Sequence, residues 1–124
     1  MPENLKLDYL ELPASDLPVI KGFYEAVFAW VFTDYGPDYT SFTDGKMDGG
    51  FYQSSLRSRQ DNGGVLIVIY ADNLQTVREQ VLAKGGSILR DIYAFPGGHR
   101  FHFADPHGNE LAVWSENFIA DGSS

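Results

Sequence analysis

A chain of 124 residues, 44% of them hydrophobic and 21% charged, has room for one core and one domain, and this composition excludes a disordered chain. The formal net charge of −8 argues against a nucleic-acid partner, because a protein of this sign repels phosphates; it suits a cationic small molecule or solubility alone. No apolar run approaches the ~20 residues that span a bilayer, there are no cysteines, and Met1-Pro2-Glu3-Asn4-Leu5-Lys6 lacks the basic start and apolar stretch of a leader, so a cytoplasmic protein is expected.

In chain order, a strand-like run from Tyr9 meets Ser15-Asp16, a pair that can accept the free N–H groups of a helix's first turn. The following helix carries Leu17, Ile20, Tyr24, Val27 and Phe28 on one face, with Pro18 tolerated in its opening turn. Three strands are expected next, over Trp30 to Tyr35, Tyr39 to Thr43 and Met47 to Tyr52, with turns at Gly36-Pro37-Asp38 and Asp44-Gly45. The pattern then repeats. Tyr9 to Leu17 lies over Leu66 to Leu74 at a constant offset of 57 residues, and Asp72-Asn73 takes the place of Ser15-Asp16. A second helix with Leu74, Val77, Val81 and Leu82 stops at Gly85-Gly86, where a left-handed cap is easy for glycine. Strands over Ser87 to Ala94, His99 to Ala104 and Glu110 to Ser115 follow, separated by turns at Pro96-Gly97-Gly98 and at Asp105 to Asn109.

The expected fold class is α+β, with two tandem βαβββ modules forming a curled, cup-like mixed sheet and helices on the outer face. Module one runs over 5–52, a polar linker over 53–64, module two over 65–116 and a frayed tail over 117–124, all within a single domain of 1–124. A four-stranded sheet with one helix on one face leaves the other face open. Two such modules side by side curl those faces around a cleft suited to a small ligand.

The paired modules, the stretch "LELPASDLPVIKGFYEAVFAW", the "GG" after the second helix and the "FADPHGNELAVW" hairpin resemble the vicinal oxygen chelate superfamily, a group that includes glyoxalase I, bleomycin-resistance proteins, fosfomycin-resistance transferases and extradiol dioxygenases. The resemblance covers roughly residues 5 to 116. It implies a divalent metal held from strands one, four, five and eight, usually by His, Glu or Gln. Carried over position by position, those ligands fall on Tyr9, on Gly49 or Gly50, on Leu66 and on Ala112. Leucine, alanine and glycine offer no side-chain donor, and a tyrosine binds a divalent cation well only after losing a proton. The expectation is therefore no metal and no other cofactor, and with it no Lewis acid for the reactions that depend on one.

Strand alternation, with the former ligand positions taken as inward-facing, selects the cleft lining. Strand one gives Leu7, Tyr9 and Glu11; strand five gives Leu66, Val68 and Tyr70; strand eight gives Glu110, Ala112 and Trp114; strand seven gives Arg100 and His102. Leu10, Leu12, Ile67, Ile69, Leu111 and Val113, with Phe101 and Phe103, pack beneath the helices. On strand four either Phe51 or Tyr52 is inward. The ligand-binding set is thus Tyr9, Glu11, Leu66, Val68, Tyr70, Arg100, His102, Ala112 and Trp114, with Glu11 and His102 as candidates for proton transfer. Each has a plainer reading: Tyr9 and Trp114 as core aromatics, His102 as a hydrogen-bonded strand residue, Arg100 and Glu11 as partners of each other or of water. His99, His102 and His107 are read as separate histidines, since parity puts His99 opposite His102 and His107 sits in a turn.

An aromatic lining with a few polar groups suits a flat or cationic organic ligand. The favoured function is binding of such a molecule without transforming it, as bleomycin-resistance proteins do. The alternative is a glyoxalase-related lyase or isomerase with an atypical or metal-independent site. The resemblance also implies a homodimer, and Phe32, Tyr35, Tyr39 and Phe42 are expected to be exposed on the short strands of the first half.

Overall fold

A computed structural model describes residues 2–117; of the expected tail, residues 118–124 lie outside them. Eight strands and two α-helices run in the order β1 (Tyr9–Ala14), α1 (Leu17–Phe28), β2 (Val31–Asp34), β3 (Tyr39–Thr43), β4 (Asp48–Gln53), β5 (Ile67–Tyr70), α2 (Leu74–Ala83), β6 (Ser87–Phe95), β7 (Gly98–Ala104) and β8 (Glu110–Ser115), with one 3₁₀ turn at Gln60–Asn62 in the linker. The repeat in the sequence is a repeat in space. One sheet has the order β1-β4-β3-β2 and the other β5-β8-β7-β6. In each, the first strand pairs parallel with the last and the remaining pairs are antiparallel.

The helices start where side-chain acceptors meet bare N–H groups. Asp16 accepts from the Val19 N–H at 3.1 Å and Asn73 from the Thr76 N–H at 3.0 Å. The first helix ends at Ala29, a left-handed residue at φ 60°, and the second gives way to Lys84 and to Gly85 at φ 105°.

The aliphatic faces of both sheets and the inner faces of both helices merge into one core. Trp30 stacks between Tyr24 and Phe42, with ring centroids 4.5 and 4.3 Å apart. Phe103 of the second sheet meets Phe23 and Phe28 of α1 at 6.0 and 5.8 Å, so α1 belongs to both modules. Phe42 is buried and Phe32 packs against the core, contrary to their expected exposure; Tyr35 is the exposed aromatic of β2 and its turn. Leu82, expected on the packed face of α2, is exposed, and Phe23 fills the inner face of α1 instead.

The turn between β7 and β8 fastens the modules together. Asn109, fully buried, donates from Nδ2 to the Pro13 carbonyl at 2.8 Å and accepts at Oδ1 from the Ser58 N–H at 2.9 Å. Asp105 takes three backbone N–H groups of its own turn on Oδ1 and the Tyr24 hydroxyl on Oδ2. Burial pushes the Asp105 carboxyl above its ordinary value, against the pull of the donors from Tyr24 and Asn109. His107 accepts from the Ser15 N–H at Nδ1, which leaves Nε2 to donate to the Leu56 carbonyl at 2.6 Å. The residues read from sequence as turn chemistry are therefore also the joint between the halves.

Candidate functional site

Each sheet has a face turned away from the common core, and each such face carries a polar cluster. On module one, Tyr39 donates to Glu11 Oε2 at 2.9 Å, which leaves its oxygen to accept from the Tyr9 hydroxyl at 2.6 Å. Burial, then the hydrogen bonds with Tyr9 and Glu11, hold the Tyr39 phenol well above its ordinary value. The cluster needs Gly50 beneath it, since a Cβ there would lie 2.5 Å from Tyr39 Cζ and 2.9 Å from Tyr9 Oη. Tyr9 and Tyr35 line a groove of about 490 Å³ with Thr33, Ser41, Thr43 and Asp48. On β4 it is Tyr52 that is exposed on this side, while Phe51 is buried in the core.

On module two, His102 lies on β7 with Nδ1 2.8 Å from Glu110 Oε2 and Nε2 3.0 Å from the Tyr93 hydroxyl. The Tyr93 oxygen also receives the Nε–H of Arg100. Burial raises the Glu110 carboxyl, but the hydrogen bonds from His102 and the Gln60 N–H and the charges of His102 and Arg59 outweigh it, so the group is held below its ordinary value. Arg100, Phe95, Trp114 and Val68 wall a pocket of about 260 Å³. Trp114 meets Tyr70 and Phe95 edge-on at 4.9 and 6.0 Å. A wider groove of about 790 Å³ runs where Leu10, Trp30 and Met47 of module one approach Ile67, Tyr70 and Trp114.

Of the residues singled out in the sequence, Val68, Arg100 and Trp114 come together around one pocket, with Tyr70 against Trp114. Tyr9 and Glu11 share a different cluster, and Glu11 takes Tyr39 as its partner rather than Arg100. The groove beside Tyr9 and the pocket beside Arg100 have no lining residue in common. Leu7 precedes β1 and is 84% exposed, so it lines nothing. Leu66 lies one residue before β5 and is half-buried; Ala112 is buried beside His102, its neighbour in the β7–β8 register.

Tyr93 escaped the sequence reading for a geometric reason. Ile88 pairs with Phe103 of the core, Arg90 with His102 and Tyr93 with Arg100, so the β6 register shifts twice within six residues. Such irregularities break strict alternation and re-aim side chains. A count by twos from Arg90 passes over Tyr93.

Tested against a divalent cation, the positions where the vicinal oxygen chelate pattern places ligands do not fit one. Leu66, Ala112 and the glycines of β4 bring no donor, and the single phenol, Tyr9, is committed to Tyr39. Among the described residues there is no group of three or more His, Cys, Asp or Glu side chains that could hold a metal. Among them, too, no helix is long and apolar enough to cross a membrane.

The comparisons with known proteins agree with this architecture. A glyoxalase-related enzyme from Fulvimarina pelagi superposes with a TM-score of 0.75 at 21% identity, covering 96% of each chain. Lactoylglutathione lyase from Agrobacterium tumefaciens gives 0.69 at 19% identity over 96% of this chain and 99% of its own. Fosfomycin resistance protein FosX from Mesorhizobium loti gives 0.72 at 17% identity over 91% and 93%. At these identities the likeness is one of fold. No curated protein matches the chain in sequence. The profile of the Glyoxalase/Bleomycin resistance protein/Dioxygenase superfamily matches residues 6–113, and the chain belongs to that superfamily.

Proposed function

We propose that the protein binds a small organic molecule carrying an aromatic or branched apolar group on the open face of module two, without a divalent metal. The observation that carries the reading is the pocket of about 260 Å³ in which Trp114, Phe95 and Val68 form an apolar wall around a single guanidinium, that of Arg100. The donor-poor positions at Tyr9, Gly50, Leu66 and Ala112 support the metal-free part. A homodimer belongs to the same proposal. The two open faces carry exposed Tyr9, Tyr35, Tyr52, Val68 and Tyr70, and a second copy that sets its module one against this module two closes the half-cup. Light scattering is then expected to give twice 13.8 kDa, and a mass near 13.8 kDa across a wide concentration range refutes the dimer.

Tryptophan fluorescence titrated with phenylacetate and with benzylamine tests the binding. One or both are expected to quench, and Trp114→Ala to weaken the binding by about 1 to 3 kcal/mol through lost area and ring contact. Trp30, stacked in the core, serves as the control, and Trp30→Phe keeps the quenching. If Trp114→Ala lowers stability while affinity is unchanged, the pocket is not the binding site. A second reading, proton transfer without a metal, is favoured by one specific observation: His102 is held between a carboxylate and a phenol.

A further inference from the structure

The pocket beside Arg100 and the wide groove between the modules adjoin. Val68 and Trp114 line both, the pocket of about 260 Å³ and the groove of about 790 Å³. Leu10, Phe28, Met47, Ile67 and Ile69 wall the groove, and all five are half-buried, so apolar surface stays open to solvent along its length. The charged residues of the groove, Asp44 and Lys46, belong to the turn between β3 and β4, where Asp44 Oδ1 accepts from the N–H groups of Lys46 and Met47 at 2.8 and 2.7 Å.

The pocket end has a different charge. No acid lines it, and its charged group is the guanidinium of Arg100. That guanidinium is oriented rather than neutralised. Its Nε–H donates to the Tyr93 hydroxyl, and among the described residues Nη1 and Nη2 have no hydrogen-bond partner. Arg90 Cζ sits 3.6 Å over the same phenol ring, and among the described residues neither arginine forms an ion pair. Glu110, the carboxylate reached through Tyr93 and His102, is already engaged by His102 and by the Gln60 N–H. Two unpaired guanidiniums thus flank one phenol and make a local positive potential in a chain of net charge −8. A half-buried guanidinium with both terminal nitrogens unclaimed offers the fork that a carboxylate fits.

We infer that the molecule bound here is a medium-chain fatty acid, with its carboxylate on the Arg100 fork and its alkyl chain passing over Val68 and Trp114 into the groove between the modules. The assignment rests on the binding reading of the module-two pocket and extends it: the pocket takes the head of the molecule, and the apolar part continues beyond.

The probes are butanoate, hexanoate, octanoate and decanoate, titrated into the full chain by calorimetry. Each added methylene is expected to tighten binding about two- to four-fold, four-fold corresponding to full burial. Decylamine, with the same chain length and the opposite charge, is expected to bind about ten-fold or more weakly than decanoate. Arg100→Gln is expected to remove most of that preference and Arg100→Lys to keep part of it, whereas Lys46→Gln leaves it unchanged. Met47→Gln is expected to weaken decanoate about three-fold or more, by setting an amide in the apolar groove, and to leave phenylacetate unaffected. A series flat in chain length, decylamine binding as well as decanoate, or a loss at Lys46→Gln in place of Arg100→Gln overturns the assignment. The first two are read on the parent protein, so they decide the matter even where a variant does not fold. Saturable phenylacetate quenching beside a flat series removes the fatty acid and leaves the pocket as a binding site; failure of phenylacetate and decanoate together removes both.

Discussion

Gly50→Ala tests whether the floor of the module-one face is built around its three polar side chains. Gly50 does not have a positive φ, so the position demands space rather than an unusual backbone. The added methyl would overlap the Tyr39 hydroxyl and lie 2.5 Å from Tyr39 Cζ, so the phenol has to leave. Leaving breaks its bonds to Tyr9 and Glu11, each contributing about 0.5 to 1.5 kcal/mol net. Against this, alanine restricts the unfolded chain and returns about 0.4 to 1 kcal/mol. The expected net loss is about 1.3 kcal/mol at mid-range and no more than about 2.6 kcal/mol, read from urea unfolding as a lower midpoint at constant slope. The same substitution in a Tyr39→Ala background should cost little, because the phenol in closest contact is gone and the Tyr9 hydroxyl, 2.9 Å from the added methyl, ends an exposed side chain that can swing away. Equal losses in the two backgrounds would show that the cost lies in the β4 backbone, and would refute the argument.

Asn109→Ala should cost about 2 to 4 kcal/mol in the same assay, since it orphans the buried Pro13 carbonyl and Ser58 N–H together; a loss below about 1 kcal/mol would mean that water replaces the side chain. Glu110 is held below its ordinary value in the folded chain, so its stabilisation is complete above the usual glutamate range, about 4.3, and is lost as pH falls through the lowered folded value. The stability difference between the parent and Glu110→Gln should therefore shrink as pH falls from about 6 to about 3, and a constant difference contradicts the assignment. Nickel, zinc, manganese or ferrous ions should not raise the unfolding midpoint; several kcal/mol of stabilisation at saturating metal would be the signature of a true site.

The fold was legible because its determinants are local and occur twice. The 57-residue offset, the Asp16 and Asn73 caps and the aliphatic parity of Leu12, Leu111 and Val113 each repeat a pattern that short-range chemistry enforces, whereas Leu10, expected beneath the helices, lines the wide groove instead. Strand ends shifted by a residue or so, as with β2, because Trp30 is claimed by the stack between Tyr24 and Phe42. The site was legible only where alternation holds. Arg100, His102 and Trp114 follow from a regular β7–β8 ladder, whereas Tyr93 and Arg90 depend on shifts in β6 that carry no plain signal in the residues around them. Long-range partners were beyond reach in the same way. Nothing local couples Tyr39 to Glu11, and exposed Phe42 was the wrong expectation because the core that covers it comes from α1 and Trp30.

The joint at Asp105 to Asn109 also sets the order in which the chain can be completed during synthesis. Its bonds reach back 81 residues to Tyr24, 92 to Ser15 and 96 to Pro13. A nascent chain that has delivered only its first half therefore holds a carbonyl, an amide and a phenol without the protein partners they later take, and lacks Phe103 against α1. Contacts of such long sequence separation form late and slow folding. From the completion of β4 at Gln53 until Asn109 is made, the first module stands without the partners that Pro13, Ser15 and Tyr24 take in the folded chain.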